Sequence, residues 1–117
     1  MNVTPSQIDV LRGLLDSAAL RHRVIANNVA NVNTPGYKRL TVSFAAEVER
    51  SLAAGEGLQG ASARIVEDLS APERVDGNTV DIDREMNELS KNFQLYSAAA
   101  SILASRVGQL RTAIRGS

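Results

Sequence analysis

Few side chains in this 117-residue sequence have the type and spacing that bond-making chemistry needs. His22 is the single histidine and there is no cysteine. A Cys–His pair, a thiolate nucleophile and a disulfide are therefore excluded, and no G-x-S-x-G elbow accompanies the histidine. His22 sits between Ala18 and Ile25 on an apolar helical stripe, as a partly covered histidine at a helix interface would. Asp76, Asn78, Asp81 and Asp83 offer the oxygen donors that calcium takes. The EF-hand loop fails, however, for want of its central glycine and closing glutamate at the required offsets. Asp81 and Asp83 are better explained as the negative first turn of a helix. The phosphate-cradling patterns G-x-x-x-x-G-K and G-x-G-x-x-G are absent, and Lys38-Arg39 is too small a basic cluster to specify nucleic acid. No enzyme, cofactor or metal is expected.

The remaining chemistry is amide chemistry. Asn27, Asn28, Asn31 and Asn33 crowd the stretch ANNVANVNTPGYK. Asparagine is a poor helix former, because its amide competes with the backbone for hydrogen bonds. A simple helix end would need one such residue before Thr34-Pro35-Gly36. Val29 and Val32 carry the apolar stripe through this zone, so a frayed end is a poor explanation, and Asn27 and Asn31 share a face beside the stripe. An amide both donates and accepts, so it can satisfy loop backbone and fix the register of packed helices.

The elements that must position these amides are two long helices. Thr4 suits an N-cap, Pro5 the first helical position, and Gln7 completes a capping box. The stripe then runs Ile8, Leu11, Leu15, Ala18, His22, Ile25, Val29, Val32, alternating three and four, a heptad seam with one polar intruder. Thr34-Pro35 stops the helix, since the residue before proline leaves helical geometry, and Gly36 turns the chain with positive φ. The C-terminal stripe is Ile82, Met86, Leu89, Phe93, Tyr96, Ala100, Leu103, Val107, Leu110, Ile114. Asp81, Asp83 and Glu85 open it and Arg111 and Arg115 lie near its end, each set complementing the helix dipole, with Gly116 as the stop. The expected fold is all-α. The two helices pair as an antiparallel coiled-coil hairpin, divided as residues 1–36, a loop-rich connection over 37–80 and the C-terminal helix over 81–117.

The connection is weakly patterned. SFAAEVERSLAAG suggests a short helix, GEGLQGASAR a loop, RIVEDL an extended piece and Asp76-Gly77 a turn. Charge favours the antiparallel arrangement, because Lys38 and Arg39 then approach Asp81, Asp83 and Glu85, while Arg111 and Arg115 approach Asp9 and Asp16. Leu14, Leu20 and Val24 on the first helix, and Leu95, Ala98, Ala99 and Ile102 on the second, fall outside the seam. Helices with a second apolar stripe need further neighbours. Those neighbours are other protein chains, or, in a plainer arrangement, the short middle helix folded back to make a three-helix bundle.

Thirteen basic and thirteen acidic residues cancel, which argues against nucleic acid or anionic lipid as partner. No apolar run approaches the ~20 residues that span a bilayer, so no membrane insertion is expected. MNVTPSQIDV has neither a basic n-region nor an apolar h-region, so no cleavable signal peptide is visible.

ALRHRVIANNVANVNTPGYKR, Ala19 to Arg39, resembles the N-terminal signature of bacterial flagellar rod and hook proteins. DGNTVDIDREMNEL with the Tyr96, Leu103 and QLRTAI that follow resembles the C-terminal half of a proximal-rod member of that family, whereas Leu52 to Val75 matches nothing in it. The resemblance implies a non-catalytic structural subunit of the basal-body rod, needed for flagellum assembly and motility. Such subunits polymerise through their terminal helices into the axial drive shaft and export channel. It implies localisation in the periplasmic rod after type III export without a cleaved signal. Implied partners are other copies of the chain, other rod proteins, the adaptor FliE and the export gate. Asn27, Asn28, Asn31, Asn33, Thr34, Pro35, Gly36 and Tyr37 would form the assembly signature. The alternative is a soluble helical adaptor or export chaperone that forms a closed oligomer.

Overall fold

The computed structural model describes residues 5–43, 53, 55 and 63–116, with the side chains of residues 5 and 6 excepted. The elements run α1 (Pro5–Ala30), β1 (Leu40–Ser43), β2 (Arg64–Glu67) and α2 (Ile82–Arg115). The expected Thr4 cap and short middle helix lie outside the described residues. α2 opens and closes as its ends dictate. The Asp81 side chain accepts from Asp83 N–H at 3.0 Å, and Gly116 takes the left-handed conformation at φ 71°. Gly116 N–H returns to Ala113 O at 3.3 Å, so each end of α2 carries a cap.

α1 and α2 pack antiparallel. Asn28 meets Glu85 near one end, Asn92 donates to the Ala18 carbonyl at 2.8 Å in the middle, and Val10 and Leu11 lie beside Ile102 further along. The result is a thin slab, its Cα trace measuring 64 × 32 × 14 Å. Among the described residues, no helix is long and apolar enough to cross a membrane.

The middle supplies a two-stranded antiparallel sheet that the helical expectation did not contain. Leu40 pairs with Glu67, Thr41 with Val66, Val42 with Ile65 and Ser43 with Arg64. Of the RIVEDL stretch, Arg64–Glu67 is strand. Val42, buried, faces inward from β1.

On α1 the buried residues include Ala18, Val24 and Ile25, while His22 is exposed. Ile8, Leu11, Leu15, Val29 and Val32 are half-buried. On α2 the buried residues are Glu85, Asn92 and Ala99. That is a heptad series one residue before the expected Met86, Phe93 and Ala100. The seam is therefore turned by one position, about 100° of helix rotation. The cause is polar: Glu85 must reach Arg39 and Asn28, and Asn92 reaches Ala18 O, so both point at α1. Phe93 is left 70% exposed, and Met86 and Tyr96 nearly half exposed, beside the contact rather than in it. Leu89, Leu103, Val107 and Leu110 are half-buried, whereas Ile82 and Ile114 are exposed, Ile114 at 81%.

Candidate assembly junction

The α-helix of α1 ends at Ala30, not at Thr34-Pro35, and Asn31–Gly36 form turns. Val32 N–H bonds Val29 O at 3.2 Å and Thr34 N–H bonds Asn31 O at 3.0 Å, the i→i−3 pattern of a tightened last turn. The carbonyls of this turn also accept from side chains of a distant segment. Asn78, fully buried, donates Nδ2 to Asn31 O (2.9 Å), Val32 O (3.2 Å) and Thr34 O (2.8 Å). Its own Oδ1 accepts from Val80 N–H at 2.7 Å. Arg74 adds Nη2 to Val32 O and Nη1 to Val80 O. A helix C-terminus is thus capped from more than forty residues away.

Asn28 organises the other side. It is fully buried and its amide is saturated. Oδ1 accepts from Leu40 N–H (3.0 Å) and from the Tyr37 hydroxyl (3.0 Å). Nδ2 donates to Leu40 O (2.8 Å) and Glu85 Oε2 (3.3 Å). Asn27 Nδ2 donates to the same Tyr37 hydroxyl at 2.9 Å. Burial raises the Tyr37 pKa, the Asn27 bond opposes this, and the Glu85 charge adds to the rise. The phenol therefore stays protonated and keeps donating to Asn28.

Under this amide lies a buried ion cluster. Arg39 pairs through Nε with Glu85 Oε1 and through Nη1 with Asp68 Oδ2 at 2.8 Å, and Arg84 reaches the same Asp68 oxygen at 3.2 Å. The Ser70 side chain holds the Asp68 pKa down first, helped by Ser70 N–H, Arg84 and Arg39 and opposed by burial. Breaking a buried pair on one side typically costs about 3–5 kcal/mol. Arg39 and Glu85 thereby tie β1 to the first turn of α2.

Two glycines bring the segments together. Gly36 N–H bonds Asp76 O at 2.9 Å with φ 75°. Gly77, at φ 82°, lies so close that an added Cβ would sit 3.4 Å from Gly36 Cα. Lys38 Nζ crosses this contact to Gly77 O at 2.7 Å and also pairs with Glu73. Asp76 Oδ1 accepts from Asn78 N–H at 3.0 Å, the leading cause of its lowered pKa. Thr79 N–H bonds Tyr37 O at 3.0 Å, and Arg39 N–H bonds Thr79 Oγ1 at 2.7 Å.

The structure thus brings Asn27, Asn28, Asn31, Gly36 and Tyr37 into one network. Asn31 works locally, donating to Asn27 O at 2.8 Å and accepting from Thr34 Oγ1 at 3.1 Å. Asn33 and Pro35 are exposed, and among the described residues Asn33 makes no side-chain hydrogen bond. Asn78 and Arg74 escaped sequence reasoning. The Asp76-Gly77-Asn78 turn was visible, but a turn asparagine does not announce that it will cap a remote helix.

Residues 8–38 match the family model described as flagella basal body rod protein. The chain is 38% identical to the flagellar basal body rod protein FlgB of Borrelia hermsii, over 89% of this chain and 92% of that one. It is 28% identical to FlgB of Bacillus subtilis, over 99% and 98% of the two chains. With FlgB of Salmonella typhimurium it shares 27% identity, over 87% and 88%. A network that uses its polar residues to hold two helices and a sheet in one register, with no reacting group, agrees with that kinship: the chain belongs to the FlgB family of flagellar basal body rod proteins and is a structural rod subunit, not an enzyme.

Proposed function

We propose that the junction built on Asn27, Asn28, Asn31, Thr34, Pro35, Gly36 and Tyr37 sets the register in which this subunit enters the proximal rod. The observation that carries this reading is the saturated amide of Asn28, which from α1 bonds β1, the Tyr37 loop and α2 at once. Four attachments to one buried group leave the closed end of the hairpin a single geometry. The seam residues Ile8, Leu11, Leu15, Ile25, Val29, Val32, Leu89, Leu103, Val107 and Leu110 hold the helices behind it. Met86, Phe93, Tyr96 and Ile114, which remain exposed in the single chain, wait for neighbouring subunits. Those neighbours include further copies and other rod proteins. At the base of the rod the partners are the adaptor FliE and the export gate, reached after type III export without a cleaved signal.

The test is imaging of isolated basal bodies that carry this chain in place of the native subunit. Density for the hairpin at the rod base, with the Asn28 end against a neighbour, is the expected result. Absence of the chain from basal bodies, with normal expression, would overturn the reading.

A further inference from the structure

Away from the junction the two helices pack loosely. Val10 and Ile102 line one hollow near the open end of the hairpin and are 56% and 47% exposed. That hollow, of about 340 Å³, opens between Gln7, Val10 and Leu11 of α1 and Ile102 and Arg106 of α2. A second, of about 310 Å³, lies beside Ile102 along α2. Apolar contact is non-directional, so packing this open does not by itself fix the angle between the arms. Between the junction and the open end stands Asn92, buried at the heptad position that follows Glu85 and precedes Ala99. Its Nδ2 donates to Ala18 O at 2.8 Å, while its Oδ1, also buried, has no partner. Ser17, Ala18 and Ala99, all small and buried, let the helices approach closely at this level. A buried acceptor without a donor costs free energy, so leucine, the apolar residue nearest in shape, would hold the helices together at least as well. What the amide supplies and leucine does not is direction.

We infer that Asn92 is a positioning residue: its bond to Ala18 O sets the angle at which the two arms leave the junction. The consequence for assembly rests on the rod-subunit reading. Ala18 lies ten residues before Asn28, about 15 Å along α1. The junction and the Asn92 bond are thus two separated points on each helix, and two points define a direction where one leaves a hinge. α1 runs on for thirteen residues beyond Ala18 and α2 for twenty-three beyond Asn92, about 20 and 35 Å. A small change of angle at this contact is therefore amplified at the open ends. A single buried asparagine can place one helix on another at a cost in stability, as it does at inner positions of coiled coils.

The chain has no cysteine, and an added Cβ at Gly13 or Gly108 meets nothing within 4 Å. Spin labels on Gly13→Cys and Gly108→Cys in the purified full chain therefore report the separation of the arms. The labelled parent should give one narrow distance distribution. Asn92→Leu should melt no earlier than the parent, yet give a broadened or displaced distribution. In a complemented null strain it should be made at the parent level and be lost from basal bodies. An earlier melt would show that the amide serves stability, and an unchanged distribution would show that packing sets the angle; either result overturns the inference. A broadened distribution with normal incorporation would overturn its consequence for assembly. Absence of the unsubstituted chain from basal bodies would count against the rod reading alone, with the distance distributions still deciding the role of Asn92.

Discussion

Asn28 meets Leu40 as a neighbouring strand would, accepting from its N–H at 3.0 Å and donating to its carbonyl at 2.8 Å. A side chain of α1 thus supplies the missing partner for the free edge of β1, and the sheet is docked on the helix by two bonds rather than by an apolar face. The same amide holds Tyr37 and Glu85, so its removal would affect four segments at once.

Asn28→Ala leaves the Leu40 main chain unpaired in a half-buried place, at a cost of up to about 1–3 kcal/mol per group. Amide exchange should show Leu40 losing protection, with the centre of α2 unchanged. Asn28→Asp should be worse near neutral pH, because it sets a carboxylate against Glu85 Oε2, 3.3 Å from the present amide nitrogen. Equal protection in all three chains would mean that the Asn28 network does not hold the junction.

The remote cap separates two asparagines that look alike in sequence. Asn78→Ala removes three side-chain bonds to the turn that follows α1 and should lower the melting midpoint of the helical signal. Asn33→Ala should stay within about 0.5 kcal/mol of the parent chain, as an exposed surface change does. Thermal unfolding followed by circular dichroism measures both.

At Gly36 the difficulty is the backbone alone, since a Cβ there meets nothing within 4 Å while φ is 75°. Gly36→Ala should cost about 1–2 kcal/mol, the penalty of a left-handed L-residue, and Gly36→Asn less, because asparagine tolerates that region. Gly36→Val should be the most damaging of the three. Export should survive while incorporation into basal bodies falls in that order, as read by immunoblot.

Asp68 makes the junction sensitive to acid. Its pKa is lowered in the folded chain, first by Ser70 and then by Arg84 and Arg39. Its contribution is therefore fully present above the ordinary 3.8 and is lost as pH falls through the lower folded value. Asp68→Asn should melt earlier than the parent at pH 7, with the gap closing as pH drops below that range. A gap independent of pH would place the Asp68 contribution in packing rather than charge.

Much of the fold was legible because it rests on period and punctuation. The heptad spacing, the acidic start of α2 at Asp81 and the Gly116 stop all announce themselves locally. The antiparallel pairing followed from opposite charges, and Arg39 does meet Glu85. What sequence could not give was the rotation of α2. Bulky apolar residues mark a stripe, but here Glu85 and Asn92 take the inner face because each finds a buried partner. Phe93 is then turned outward. Long-range amide work was equally silent: Asn28 belonged to a conspicuous cluster, whereas Asn78 lay in an ordinary turn and Val66 in a strand whose partner lies far along the chain.

The most direct measurement is the amount of Asn28→Asp chain in basal bodies isolated from a complemented null strain, set against its level in whole cells and the Asn33→Asp control. If the buried amide sets the register for rod assembly, Asn28→Asp is made at the parent level yet missing from basal bodies, the cells do not swim, and Asn33→Asp incorporates normally. Full incorporation and motility of Asn28→Asp would contradict that role for the junction.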